Sequence, residues 1–100
     1  MVKHIVMLKL KETDDRIEKL ENALQLKKAI ETLSYKIDEV KYMEVGLNYN
    51  DKSSAYDLVL TSTFDNAEAL EVYRTHKEHV KVLDFLNEVI EQTAVVDYEI

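Results

Sequence analysis

Polar and apolar residues alternate along the first stretch of the chain, residues 2–11. Such alternation divides the side chains between two faces, as the pleat of a β-strand does. One face carries Val2, His4, Val6, Leu8 and Leu10, and the other carries Lys3, Ile5, Met7, Lys9 and Lys11. The pattern predicts a strand with one face that is apolar apart from His4.

Two longer stretches have the apolar spacing of α-helices. The first is predicted from about residue 14 to about residue 35, with Thr13 and Asp14 as capping residues. Its expected buried residues are Ile17, Leu20, Leu24, Leu26, Ile30, Leu33 and Ile37. The second is predicted from about residue 66 to about residue 92, and Asp65 with Glu68 has the spacing of a capping box. Its expected apolar side consists of Ala69, Val72, Tyr73, Val80, Leu83, Leu86 and Ile90.

Three further alternating segments complete the pattern. Strands are predicted at about residues 40–49 and from Tyr56 to Phe64, with a turn in NDKSS, residues 50–54, between them. The chain ends in a fourth strand, TAVVDYEI, residues 93–100. The order β-α-β-β-α-β predicts an α+β, ferredoxin-like fold, in which an antiparallel sheet carries both helices on one face.

The other face of that sheet has no helix to cover it. Ile5 and Met7 point towards this face, and the last strand has apolar residues on both of its faces. A chain of 100 residues forms one domain, residues 1–100, with a modest core of its own. We therefore expect a homodimer in which two sheets pack face to face and bury these side chains.

Composition removes several classes of function. The chain has no cysteine, which excludes disulfides, thiol catalysis and cysteine-based zinc sites. Its net charge of −7 would repel nucleic acid, and no cluster of Lys and Arg opposes that field. No stretch reaches the roughly 20 apolar residues of a membrane span, and the first residues lack the pattern of a signal peptide. We expect a cytoplasmic protein that binds neither nucleic acid nor membranes.

The segment YRTHKEHV, residues 73–80, holds two of the three histidines. His76 is a neighbour of both Tyr73 and His79 on an unbroken helix, but Tyr73 and His79 lie about 120° apart on it. These two residues converge on one cavity only if the helix breaks near Thr75–Lys77. On an unbroken helix, the two histidines decorate a half-exposed edge and Tyr73 is an ordinary core residue.

His4 is expected to be buried, and a buried imidazole needs hydrogen-bond partners. Tyr73, His79 or a backbone carbonyl are the expected partners, and a structural histidine held by one carbonyl is the simpler alternative. Metal binding is not favoured, because the paired histidines lack the i, i+4 spacing of helical zinc sites and a matched carboxylate. Nothing in the sequence has the signature of a cofactor site.

Several segments together resemble the stress-responsive dimeric α/β-barrel (Dabb) family. They are VKHIVMLKLK at residues 2–11, KIDEVKYMEVGLNY at residues 36–49 and YDLVLTSTFDNAEALEVYRTHKEHV at residues 56–80. The resemblance implies a ferredoxin-like monomer whose sheet pairs with that of a partner, and a cavity between sheet and helices. It also implies site residues: a plant polyketide cyclase of this family uses a tyrosine and a histidine that match Tyr73 and His79, and has further histidines that match His4 and His76.

The chain departs from the family pattern at two informative positions. Lys77 stands where the family often has a proline, so the expected helix break lacks its usual cause. Leu58 stands where the cyclase has another histidine in the third strand, which argues against the same substrate.

Three interpretations remain open at this point. The first is a small homodimer whose pocket binds an unidentified small molecule, apolar or carbonyl-containing. The second is a cofactor-independent enzyme of the polyketide cyclase, aldol or isomerase type, with His79 as base, Tyr73 as oxyanion donor, and His4 and His76 as orienting residues. The third is a structural or protein-interaction dimer without a catalytic site.

Overall fold

Four antiparallel strands form one sheet in the order β2-β3-β1-β4. The computed structural model describes all 100 residues. The elements in chain order are β1 (Val2–Leu10), α1 (Arg16–Lys36), β2 (Tyr42–Leu47), β3 (Leu58–Phe64), α2 (Ala67–Thr75), α3 (Lys77–Val89) and β4 (Ile90–Glu99). This arrangement confirms the predicted ferredoxin-like α+β fold, with β1 and β3 as the central strands.

The core lies between one face of the sheet and the helices. Every second residue of β1, from Val2 to Leu10, is buried, as the alternation predicted. Across the sheet, Val6 pairs with Leu60 and Leu8 pairs with Leu58, so the central strands present one apolar surface. Helix α1 packs onto this surface through Ala23, Leu26, Ile30 and Leu33.

The buried stripe of α1 differs from the predicted one in its first half. Ile17, Leu20 and Leu24 are exposed. At about 100° per residue, these three side chains lie roughly a third of a turn away from the stripe that contacts the sheet. The helix also begins at Arg16, because Asp15 and not Thr13 or Asp14 caps it by accepting a hydrogen bond from the N–H of Ile17.

The second helical region is two helices and not one. Helix α2 ends at Thr75, His76 has an extended backbone with φ −63° and ψ 137°, and α3 begins at Lys77. Asn66 caps α2 in place of the predicted Asp65. Helix α3 stops at Val89, since Ile90 already pairs with Leu10 in the sheet, so β4 begins three residues earlier than the predicted strand.

The opposite face of the sheet carries no helix. Ile5 lies there beside Val96 on β4, and Met7 lies beside Val59 on β3. Val96 is 57% exposed and Met7 is 40% exposed. No helix of the structure has the length and apolarity that crossing a membrane requires.

Candidate functional site

The break between α2 and α3 places two of the candidate side chains together. His76 Nδ1 accepts a hydrogen bond from the N–H of Glu78, at 3.1 Å, so the His76 side chain caps α3. Beyond the break the chain changes direction, and the rings of Tyr73 and His79 lie 4.4 Å apart between centroids. The structure therefore brings together the two residues that an unbroken helix would hold apart.

His79 is fixed in one tautomer by the chain itself. Its Nδ1 lies 2.9 Å from the carbonyl oxygen of Arg74. Because a carbonyl can only accept, Nδ1 must carry the proton, and Nε2 keeps its lone pair. His79 thus presents a hydrogen-bond acceptor, or a base, through Nε2.

Tyr73 is the buried member of the pair, with 1% of its surface exposed. No enclosed side-chain nitrogen or oxygen in the structure lacks a hydrogen-bond partner. The Tyr73 hydroxyl makes no hydrogen bond within the protein, so its oxygen cannot be one of the fully buried atoms. Tyr73 also lines a cavity. The hydroxyl is therefore available to donate to a bound molecule.

His4 comes from the centre of the sheet and faces the same cavity. Its ring lies 6.3 Å from that of Tyr73 and 6.4 Å from that of Phe64, both in edge contacts. Its partner is not Tyr73, His79 or a backbone carbonyl, as the sequence suggested. Instead, Nδ1 is hydrogen-bonded to a carboxylate oxygen of Asp97, which lies opposite His4 in the pairing of β1 with β4.

Asp97 and Arg74 are the two site residues that sequence reasoning missed. One Asp97 oxygen contacts His4, and the other lies 2.9 Å from an Arg74 guanidinium nitrogen, Nη2. The alternation of the last strand could have identified Asp97, because it places Asp97 on the same face as Val95. Arg74 had none, because its role depends on the helix break beside it.

His76 does not join this cluster. Its side chain is engaged with the first turn of α3, and it is absent from the lining of the cavity. The four predicted site residues thus divide into three that meet at the cavity, His4, Tyr73 and His79, and one that shapes the chain between them.

The cavity lies between the sheet and α3 and has a volume of about 370 Å³. Ten of its 14 lining residues are hydrophobic. The lining consists of His4, Val6, Leu8, Ile30, Leu33, Leu60, Tyr73, Arg74, His79, Val82, Leu83, Leu86, Thr93 and Val95. An apolar space with a few converging polar groups is the usual form of a small-molecule site.

Burial controls the ionisation of the paired rings. Burial raises the pKa of the Tyr73 hydroxyl to about 12, so Tyr73 stays protonated and remains a donor. Burial also lowers the pKa of His79 from its ordinary 6.5, although the hydrogen bond to the Arg74 carbonyl acts in the opposite direction. His79 is therefore mostly neutral at neutral pH, which suits a base.

A larger cleft of about 480 Å³ lies at the other end of the sheet, and its chemistry is different. Three of its charged residues form ion pairs with one another: the Lys19 ammonium lies 2.7 Å from the Glu12 carboxylate and 3.3 Å from the Asp57 carboxylate. The Asp57 carboxylate also accepts a hydrogen bond from the N–H of Leu10 at 2.7 Å. These contacts hold the chain segments around the cleft together. The structure has no group of three or more His, Cys, Asp or Glu side chains placed to hold a metal ion.

Comparison with known proteins agrees with the fold and with the resemblance. Residues 2–100 match the family described as "Stress responsive A/B Barrel Domain" (Dabb). An uncharacterized protein of Streptomyces coelicolor is 32% identical over 79 residues, which are 79% of each chain.

Solved structures give the same result. A dimeric protein of unknown function with a ferredoxin-like fold, from Bacteroides fragilis, is 42% identical, with a TM-score of 0.90 over 99% of this chain and 95% of that chain. A hydroxynitrile lyase from Passiflora edulis has a TM-score of 0.79 over 97% of this chain and 90% of that chain, at 17% identity, and so shares the fold alone. The family match over nearly the whole chain and the close structural relative together establish that this protein belongs to the Dabb family of stress-responsive A/B barrel domains.

Proposed function

We propose that this protein binds a small apolar molecule with a carbonyl group in the cavity between the sheet and α3. The carrying observation is the arrangement of that cavity: its walls are apolar, and the His4, Tyr73 and His79 side chains converge on it. Apolar walls favour a hydrocarbon body, since burial of apolar surface contributes about 25 cal/mol per Å². The Tyr73 hydroxyl supplies a donor, which a carbonyl oxygen accepts.

The test is a titration of the ¹⁵N-labelled protein with heptan-2-one, followed by NMR. We expect amide shifts to concentrate in the residues that line the cavity. Val95→Trp is expected to weaken binding by about tenfold or more, because the indole would fill space that the ketone needs. Val95 is 51% exposed, so the larger side chain can be accommodated without disturbing the core.

Val72→Trp is the matched control for this titration. Val72 is 45% exposed on α2 and does not line the cavity. It should bind the ketone as the wild type does. Shifts that are scattered over the surface, or that are equally strong in the Val95 variant, would contradict binding in this cavity.

We further propose that the protein is a homodimer formed through the open face of the sheet. Ile5, Met7, Val59 and Val96 form an apolar patch there that the monomer leaves uncovered. The Bacteroides fragilis relative is described as dimeric, which supports this assembly. Sheet-on-sheet packing would bury the patch at the usual spacing of about 10 Å.

Val96→Glu is expected to convert the dimer to a monomer, measured by sedimentation equilibrium. The substitution places a charge within the apolar patch, where it would lose its hydration on association. Val95→Glu is the control, since Val95 precedes Val96, is similarly exposed and faces the other side of the sheet. A wild-type monomer, or equal effects of the two substitutions, would refute the proposed interface.

A second candidate function is proton transfer on the bound carbonyl compound, as in a cyclase, aldolase or isomerase without a cofactor. The observation in its favour is the fixed tautomer of His79, whose free Nε2 lies on a ring in contact with Tyr73. Nε2 would take the proton from the carbon beside the carbonyl, and the Tyr73 hydroxyl would donate a hydrogen bond to the developing oxyanion. In a β,γ-unsaturated carbonyl compound, return of the proton to the γ-carbon of the resulting dienolate would complete an isomerisation.

A further inference from the structure

The break between α2 and α3 exchanges the partners of two backbone groups. In a continuous α-helix, the N–H of residue 78 would donate to the carbonyl of residue 74. Here the N–H of Glu78 donates to His76 Nδ1 at 3.1 Å, and the carbonyl of Arg74 accepts from His79 Nδ1 at 2.9 Å. A continuous helix would join these two backbone groups to each other, but here each of them is hydrogen-bonded to a histidine side chain.

We propose that His76 is a positioning residue that holds His79 in the site by capping Glu78. While His76 occupies the Glu78 N–H, the Arg74 carbonyl stays free to bind His79. Without that cap, the Glu78 N–H can donate to the Arg74 carbonyl and the helix becomes continuous. Tyr73 and His79 would then lie about 120° apart around the helix axis. This inference rests on the proposed function only in taking the cavity as the site.

The rest of the segment explains why a cap is needed there. Residues 67–89 contain no proline and no glycine, so no residue in this stretch forbids a continuous helix. The turn around the break is completed by two backbone hydrogen bonds, from the N–H of His76 to Tyr73 and from the N–H of Val80 to His76. The bond from Val80 has the spacing of four residues that a continuous helix also has, so it would remain. The His76 N–H would instead move from the carbonyl of Tyr73 to that of Val72.

Side chains around Glu78 act in the same direction. Its carboxylate lies 3.5 Å from Lys36 on α1 and 3.4 Å from Lys81 one turn further along α3. Glu78 stands in the first turn of α3, where a negative charge is favourable to the helix dipole. The position of this charge at the start of α3 favours a separate helix, whereas the Lys81 pair would also form in a continuous one. The cap at His76 determines where the Glu78 N–H is directed.

The test compares three variants of the free protein: His76→Ala, His76→Asn, and His76→Ala combined with Lys77→Pro. NMR reports the pKa and tautomer of the His79 imidazole and its contact with the Tyr73 ring. In His76→Ala, we expect His79 to leave the cavity, so that its pKa returns towards the ordinary value and the Tyr73 contact disappears.

The other two variants should restore the wild-type arrangement by different routes. Asparagine is among the best N-capping residues and replaces the lost acceptor. Proline at position 77 favours the first position of a helix, and it keeps the preceding residue in the extended conformation that His76 has. A merely structural contribution of the imidazole ring would not be restored by proline at the next position.

Two results would overturn the proposal. One is a His79 environment that is unchanged in His76→Ala, and the other is a His76→Asn variant that behaves like the alanine variant. If His76→Ala does not fold, the wild-type protein decides through the scalar coupling across the hydrogen bond between the Glu78 amide nitrogen and His76 Nδ1. Its presence supports the cap and its absence refutes it.

These measurements use no ligand, so they are independent of the ketone titration. A protein that fails to bind heptan-2-one but shows the expected series at His79 would refute the proposed function and keep the positioning role. Binding of the ketone by a protein whose His79 ignores His76 would do the reverse.

Discussion

His79→Ala is expected to lower the rate of deuterium exchange at the carbons beside the carbonyl of heptan-2-one by about 10²–10⁴-fold, the usual contribution of a positioned general base. The reason is the free lone pair on Nε2, which the hydrogen bond from Nδ1 to the Arg74 carbonyl guarantees. The measurement is NMR of the ketone in D₂O with catalytic amounts of protein. Tyr73→Phe should cost about 10²–10³-fold, since it removes one donor to the oxyanion.

The pH dependence of this exchange gives a second check. Burial lowers the pKa of His79, so its neutral, basic form persists to lower pH than that of free imidazole. The rate should therefore rise with pH and reach its plateau below the pH at which catalysis by imidazole does. Tyr73 adds no second ionisation in this range, because its pKa is about 12.

Val80→Ala serves as the control for these substitutions. Val80 follows His79, is exposed, and does not line the cavity, so its loss should leave the exchange rate unchanged. A wild-type rate no faster than that of an equal concentration of imidazole would contradict proton transfer. The proposed binding of the ketone would then be tested by the NMR titration alone.

The fold was predictable because its signals are local. Alternation in β1 and β3 and the order of the elements are each written within a few residues, and both are confirmed by the structure. The exposed first half of α1 was not, since the spacing of Ile17, Leu20 and Leu24 is as helical as that of the buried stripe. Only the position of the helix on the sheet decides which stripe is covered.

The candidate site was predictable in three of its residues but not in the hydrogen bonds between them. His4, Tyr73 and His79 were identified from the sequence, and the structure places all three at one cavity. The partner of His4 lies 93 residues away, and finding it requires the register of β4, which shifts between Lys9 and Leu10. The sequence predicted one helix and left open whether it breaks near Thr75–Lys77, because the proline that often follows the first paired histidine is Lys77 in this chain. His76 was assigned to the site, which it only borders.

Asp97→Ala is expected to lower the free energy of unfolding by about 1–3 kcal/mol, because it leaves a polar nitrogen of His4 without a partner. His4 is 7% exposed, so water cannot readily replace the lost carboxylate. Urea denaturation at a fixed protein concentration measures the difference, since association with a second copy would also contribute to stability.

Arg74→Gln separates the two arms of this network. The Arg74 side chain is 45% exposed, and its ion pair with Asp97 lies largely in water, where such pairs contribute about 0–1 kcal/mol. We therefore expect a much smaller loss than for Asp97→Ala, although both variants break the same ion pair. Equal losses would mean that the ion pair, and not the buried hydrogen bond to His4, carries the stabilisation. A larger loss for Asp97→Ala would instead locate the stabilising contact at the centre of the sheet, where Asp97 holds the His4 ring against the cavity that Tyr73 and His79 share.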